Sequence, residues 1–173
     1  MMSDKMAKAI NDQINAEMYS AYLYLSMEAY FKDIGMDGAA NWMEVQAQEE
    51  MSHAMKFYYF LNERGARVLL GAIEAPETEW KSPLDVFENV YAHEQKVTGL
   101  INDLVTLAHE EKDYATASFL NWYVDEQVEE EANADEIKSK MKLAEGAQGA
   151  LFMIDKELGM RVFVNSAFGP NAE

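Results

Sequence analysis

The residues of this chain that are best suited to chemistry are glutamates and one histidine on the apolar faces of predicted helices. Glu50 and His53 lie one helical turn apart, so both side chains project from the same face. Glu17, Glu94 and Glu130 each interrupt the apolar stripe of another predicted helix. A buried carboxylate is costly unless a cation or hydrogen bonds compensate it. Four such carboxylates and a histidine therefore predict a buried metal site.

The charge of this set indicates how many ions it would hold. Four carboxylates are balanced by two divalent cations, and Glu50 is the natural bridge between them. Carboxylate and imidazole ligands without sulfur suit iron or manganese, and zinc also binds such sites. The chain has no cysteine, which excludes thiolate ligands, disulfides and cysteine nucleophiles. A single core-facing glutamate is more often only hydrogen-bonded, but four stripes with the same anomaly favour metal.

The overall composition limits the partners. With 14 Lys and Arg against 31 Asp and Glu, the net charge is −17, which repels nucleic acid and anionic membranes and attracts cations. No segment approaches the about 18 apolar residues of a membrane span. Residues 1–5 lack the apolar region of a secretion signal. We therefore expect a cytoplasmic protein with no nucleic-acid or membrane partner.

Four long helices must position the glutamates. Apolar periodicity predicts helices over residues 4–32, 39–64, 82–112 and 114–144, and a shorter one over 147–160. Short turns make the first and last pairs antiparallel. The connection 66–81, at ~3.3 Å per residue, can reach about 50 Å and thus cross the whole bundle. The prediction is an all-α, up-down-down-up four-helix bundle with a short fifth helix, forming one domain over residues 1–173.

Three segments resemble the non-haem prokaryotic ferritins, and the likeness extends over nearly the whole chain. They are residues 13–17 together with Tyr24, residues 48–53 and residues 121–131. The resemblance implies a ferritin-like fold and a ferroxidase centre. In that centre the first iron is held by Glu17, Glu50 and His53. The second iron is held by Glu50, Glu94 and Glu130, so Glu50 bridges the two.

The resemblance also implies positions around this di-iron centre. A third, looser iron site shares Glu130 and adds three further carboxylates, Glu49, Glu126 and Glu129. Gln127 stands near the second iron, and Tyr24 matches a tyrosine beside the centre. The implied activity is oxidation of Fe²⁺ to Fe³⁺ by O₂ or H₂O₂, with storage of a ferric oxide mineral. Family members usually form hollow shells of 24 identical subunits, with the terminal helix at a symmetry axis.

Departures from related families narrow the resemblance. Bacterioferritins repeat the Glu-x-x-His pattern, whereas this chain has Gln127 and Glu130 in the second copy, so no haem is expected. Met51 occupies the position of their haem-ligating methionine, and we interpret it as packing. Rubrerythrins need cysteines, and miniferritins use another ligand pattern. Two alternatives stay open: a di-iron oxygenase of an organic substrate, and a storage shell without oxidase activity.

Overall fold

Five α-helices and no strand are present in residues 2–168, the part of the chain that this computed structural model describes. The helices are α1 (Asp4–Asp33), α2 (Asp37–Glu63), α3 (Pro83–Glu110), α4 (Tyr114–Leu143) and α5 (Gln148–Leu158). The predicted all-α architecture with four long helices and one short helix is confirmed. In residues 2–168, every helix is too short or too polar to span a lipid bilayer.

The helix starts follow from capping side chains. Ser82 Oγ accepts a hydrogen bond from the Asp85 amide at 3.1 Å, with Pro83 in the first turn, as the sequence predicts. Ser3 caps α1 in the same way, and Asp113 caps α4. At the other end of α2, Gly65 adopts a φ of +74°, the left-handed conformation that ends a helix without strain on a Cβ.

The connection between α2 and α3 runs along α1. It spans residues 64–82, slightly more than predicted, because α2 ends at Glu63 and Pro83 begins α3. Asn11 accepts from the Leu69 amide at 2.6 Å and Asn15 donates to the Ala72 carbonyl at 3.1 Å. Further along, Ser26 donates to the Glu77 carbonyl at 2.6 Å. These contacts advance along α1 with the chain, so the connection is the predicted crossover and α2 and α3 are parallel.

The buried core has two apolar clusters with a polar layer between them. One cluster surrounds Phe31 and Phe87, and the other surrounds Phe57 and Leu61. The layer between them contains eight buried polar side chains: Gln13, Glu17, Gln46, Glu50, His53, Glu94, Gln127 and Glu130. The helices thus place the glutamates of four separate stripes at one level of the bundle.

The short helix α5 packs on the start of α2 through a close backbone contact. A Cβ added to Gly38 would lie 1.7 Å from the Asp155 carbonyl oxygen, so only glycine fits there. Asp155 Oδ1 accepts a hydrogen bond from the Ala39 amide at 2.8 Å. Because α2 has no side-chain cap of its own, Asp155 supplies one from α5.

Candidate metal centre

All five side chains of the predicted di-iron centre are buried in the polar layer. Their exposed fractions are 2 % for Glu17, 2 % for Glu50, 1 % for His53, 1 % for Glu94 and 5 % for Glu130. In the described residues neither a lysine nor an arginine makes an ion pair with any of these four carboxylates. The layer therefore concentrates acidic groups where charge is most expensive.

Three of these side chains lie close enough together to hold one metal ion. Ligand atoms of Glu17, Glu50 and His53 all lie within 4.8 Å of one another. The Nδ1 atom of His53 is 3.6 Å from Glu50 Oε2. Glu50 Oε2 and His53 Nε2 are buried and have no hydrogen-bond partner among the described residues. Buried polar atoms without partners are rare, and here they belong to two potential metal ligands.

The second group overlaps the first at His53. Ligand atoms of His53, Glu126 and Glu130 lie within 4.8 Å of one another. Glu94 belongs to neither group that the described residues form, because hydrogen bonds hold its carboxylate: Tyr24 donates to Oε1, and Gln127 donates to Oε2 at 3.2 Å. The structure therefore brings Glu94 into the same layer as Glu50 and Glu130 without closing the three around one point.

Burial is the main cause of raised pKa values in the layer. It raises the pKa of Glu17, Glu50 and Glu130 well above the ordinary value, and the charges of neighbouring carboxylates raise each pKa further. Burial also raises the pKa of Glu94, although the hydrogen bonds from Tyr24 and Gln127 act in the opposite direction. Without a cation these carboxyl groups favour protonation, and binding of a divalent ion would release those protons.

Aromatic rings contact His53, and a further aromatic residue, Tyr24, is buried beside Glu94. Tyr24 is fully buried, and burial followed by the charge of Glu94 raises its pKa well above the ordinary value. Tyr123 donates its hydroxyl hydrogen to the His53 carbonyl oxygen at 2.8 Å. The ring of Trp122 meets the His53 ring edge-on with centroids 5.3 Å apart. These contacts fix the imidazole against α4.

The three carboxylates of the expected third site lie at the edge of this layer. Glu49 is half-buried and pairs with the Arg161 guanidinium. Glu126 is half-buried, with Oε1 3.8 Å from His53 Nε2, and accepts from Ser166 Oγ at 3.4 Å. Glu129 is exposed on α4. Exposure to solvent therefore increases from the buried centre through Glu49 and Glu126 to Glu129.

Sequence reasoning missed two glutamines that position the ligands. Gln13 Nε2 donates to Glu17 Oε1 at 2.8 Å. Gln46 Nε2 donates to Glu130 Oε2 at 2.8 Å and, more weakly, to Glu50 Oε1 at 3.4 Å. The signal was present, because each glutamine precedes a stripe glutamate by four residues and therefore lies on the same helical face.

The structure adds two observations that the sequence did not supply, the exposure of Met51 and the ion pair of Arg161. Met51 is 43 % exposed in this single chain, so its side chain lies outside the core of the helix bundle, and its interpretation as packing stays a prediction. The reason is helical geometry, since it is one residue beyond Glu50 and thus turned about 100° from the buried stripe. Arg161 was also missed, and nothing in the sequence could have paired it with Glu49, which lies 112 residues earlier.

A groove between α3 and α4 approaches the polar layer from outside. Its volume is about 330 Å³, and its lining residues are Thr98, Ile101, Asn102, Val124, Gln127, Val128 and Glu131. The Gln127 amide, which donates to Glu94 and weakly to Thr98 Oγ1, closes the inner end of the groove. Thr98 in turn donates to Glu131 at 2.6 Å. The groove is therefore separated from the ligands by a hydrogen-bonded side chain.

A four-helix bundle with a crossover, a short fifth helix and a buried carboxylate–histidine layer defines the ferritin-like class. The sequence profile of the ferritin-like domain family matches residues 7–144. The chain is 47 % identical over 161 residues to a bacterial non-heme ferritin of Bacteroides fragilis, covering 93 % of this chain and 100 % of that protein. A bacterial non-heme ferritin of Staphylococcus saprophyticus is 42 % identical over 166 residues, covering 96 % and 99 %.

Solved structures agree with these relatives. The open-pore ferritin of the hyperthermophilic archaeon Archaeoglobus fulgidus is 56 % identical, covers 94 % of this chain and 100 % of its own, and superposes with a TM-score of 0.93. The chain belongs to the ferritin family of iron-storage proteins. Both the expected family and its expected four-helix architecture are thereby confirmed.

Proposed function

We propose that this ferritin oxidises Fe²⁺ at a di-iron centre inside each subunit and stores the product as a ferric oxide mineral. The observation that carries the proposal is the buried group of Glu17, Glu50 and His53, with ligand atoms within 4.8 Å and two atoms that find no hydrogen-bond partner among residues 2–168. Such a group is unfavourable in a metal-free bundle and becomes favourable when a cation binds.

Binding of the substrate is the first step. The net charge of −17 attracts Fe²⁺ towards the protein. Glu17, Glu50 and His53 would hold one ion, and Glu50, Glu94 and Glu130 the other, with Glu50 as the bridge. Gln127 would stand near this second ion, since its amide donates a hydrogen bond to Glu94. As the ions bind, the carboxyl groups lose the protons that burial favours.

Electron transfer is the second step. Each Fe²⁺ gives up one electron, and a pair of electrons with two protons reduces O₂ to H₂O₂, or H₂O₂ to two water molecules. The clustered negative charge favours Fe³⁺ over Fe²⁺, because the ion of higher charge gains more from each carboxylate. Tyr24 would orient Glu94 during this change through the hydrogen bond that it donates.

Storage is the third step. Fe³⁺ would leave through the looser site of Glu49, Glu126 and Glu129 and hydrolyse to ferric oxide, releasing protons to water. A mineral needs an enclosed space, so we propose that identical subunits assemble into a hollow shell, usually of 24 copies in this family. We further propose that residues 1–173 form one domain, that the protein works in the cytoplasm and that it holds no haem.

Aerobic mixing of metal-free protein with Fe²⁺ tests the oxidase activity. The wild type should produce ferric absorbance rapidly, and the double variant Glu50→Ala, His53→Ala should lose this rate. A matched control is Glu44→Ala, His109→Ala, because both of these residues are exposed. The control should keep the wild-type rate. Equal rates in the wild type and the Glu50, His53 variant would refute the proposed centre.

Two alternatives are separated by their products. A di-iron oxygenase needs space for an organic substrate beside the metals, and the groove near Thr98 ends at the hydrogen-bonded Gln127. A monomer or dimer in light scattering, without mineral after iron loading, would favour that alternative. A storage shell without oxidase activity would form mineral at the same rate with and without Glu50 and His53.

A further inference from the structure

One arginine lies at the carboxylates of the proposed third iron site. The Nη2 atom of Arg161 pairs with Glu49 Oε2, and the two side chains are only 21 % and 16 % exposed. Glu49 belongs to α2, whereas Arg161 follows α5. The pair therefore fastens the tail segment, residues 161–168, to the helix bundle beside the polar layer.

The position of this arginine is fixed on several sides. Its Nη1 atom donates to Gln46 Oε1 at 2.7 Å, and Gln46 is fully buried. The guanidinium lies over the Trp42 ring at 4.5 Å from the centroid. Asn41 donates to the Arg161 carbonyl oxygen at 3.0 Å. A side chain held by an amide, an aromatic face and a backbone contact is pre-organised to pair with a carboxylate.

The same tail segment reaches the second carboxylate of the third site. Ser166 Oγ donates a long hydrogen bond of 3.4 Å to Glu126 Oε1. Lys56 Nζ donates to the Ala167 carbonyl oxygen at 2.6 Å, which holds the same segment against α2. The tail thus spans the site from Glu49 to Glu126.

We propose that Arg161 is the resident cation of the third site, neutralising Glu49 until a divalent ion displaces the guanidinium. This inference rests on the proposed function, since it takes Glu49 and Glu126 as iron ligands. A divalent ion that binds Glu49 gains only the difference between its own attraction and that of the guanidinium. The third ion is consequently held more weakly than the first two, and it can leave for the mineral.

Anaerobic calorimetric titration of the assembled, metal-free protein with Fe²⁺ tests this competition without any oxidation. In Arg161→Gln we expect the weakest-bound ion of each chain to bind about tenfold more tightly, and the first two ions to change by less than about threefold. Arg161→Lys keeps the charge and should stay within about threefold of the wild type. The control Lys156→Gln removes a cation from the exposed face of α5 and should leave all three affinities unchanged.

Further variants test whether the tighter binding of the third ion depends on Glu49, and separate measurements check that each variant folds. In a Glu49→Gln background, Arg161→Gln should no longer tighten the third ion, since the guanidinium has no carboxylate to neutralise there. Arg161→Met keeps the contact with the Trp42 ring but not the charge, so it should tighten the third ion as the glutamine variant does. Circular dichroism and shell mass confirm that each variant folds and assembles.

Distinct outcomes overturn the inference and the proposed function. An unchanged third affinity in both Arg161→Gln and Arg161→Met overturns the role of Arg161, as does equal tightening in Arg161→Lys or in Lys156→Gln. Persistence of the effect in the Glu49→Gln background also overturns it. If the wild type fails to bind two Fe²⁺ ions per chain, the proposed di-iron centre is refuted, and so is the inference that rests on it.

Discussion

Replacement of Glu50 by glutamine tests whether the metal-free centre holds unfavourable charge. Glu50 is 2 % exposed, and burial followed by the charge of Glu94 raises its pKa well above the ordinary value. Glutamine has nearly the same shape but cannot ionise. We therefore expect Glu50→Gln to stabilise the metal-free protein against unfolding, although the replacement removes the proposed bridge between two irons.

The direction of the pKa shift gives the sign of the pH dependence of stability, and the usual cost of a buried charge gives its order of magnitude. Because the folded pKa of Glu50 lies above the unfolded one, the folded state binds more protons in the window between them, and stability falls as the pH rises through that window. Each pH unit in which one extra proton is bound costs about 1.4 kcal/mol. The gain from Glu50→Gln should be small at pH 5 and on the order of 1–4 kcal/mol at pH 8.

Thermal unfolding of the chelator-treated protein measures this gain. For a chain of this size, 1 kcal/mol corresponds to roughly 2–4 °C in Tm. The exposed Glu44→Gln is the matched control on the same helix and should shift Tm by little at either pH. Added Zn²⁺ should stabilise the wild type more than Glu50→Gln. A metal-free Glu50→Gln protein that is less stable than the wild type at pH 8 would refute the reasoning.

Two further replacements test the tyrosine beside the centre and the docking of α5. Tyr24→Phe removes the hydrogen bond to Glu94. We expect two Fe²⁺ ions to bind still, while the oxidation rate in stopped-flow absorbance falls about tenfold. An unchanged rate would exclude a role for the hydroxyl. Gly38→Ala places a Cβ 1.7 Å from the Asp155 carbonyl oxygen and should cost about 1–3 kcal/mol of stability in thermal unfolding. Gly99 has open space around it, so the control Gly99→Ala should gain up to about 1 kcal/mol. Equal stability of the two alanine variants would contradict the packing of α5 on α2.

The fold was predictable because its signals are local. Ser82 and Pro83 mark the start of α3, and Gly65 marks the end of α2, so capping chemistry gives the helix bounds to within a few residues. The length of the connection then predicts its path across the bundle. The docking of α5 was not predictable, since it depends on Gly38 meeting the backbone near Asp155, a contact between segments far apart in the chain.

For the candidate centre too, some features were predictable from the sequence and others were not. Its buried glutamates were predictable because each breaks an apolar stripe, and Glu50 and His53 share one helical face. The hydrogen bonds that hold Glu94 and Glu130 towards Tyr24 and Gln46 were not predictable, because they depend on side-chain conformations between helices. The ion pair with Arg161 depends on the path of an irregular segment that has no periodicity.

X-ray diffraction at the iron absorption edge, from crystals loaded anaerobically with Fe²⁺, would show directly where iron binds in the bundle. We expect two strong anomalous peaks inside each helix bundle, one between Glu17, Glu50 and His53 and the other between Glu50, Glu94 and Glu130. A third, weaker peak is expected near Glu49 and Glu126. Iron found only at surface carboxylates, with no peak within bonding distance of Glu50, would refute the proposed di-iron centre.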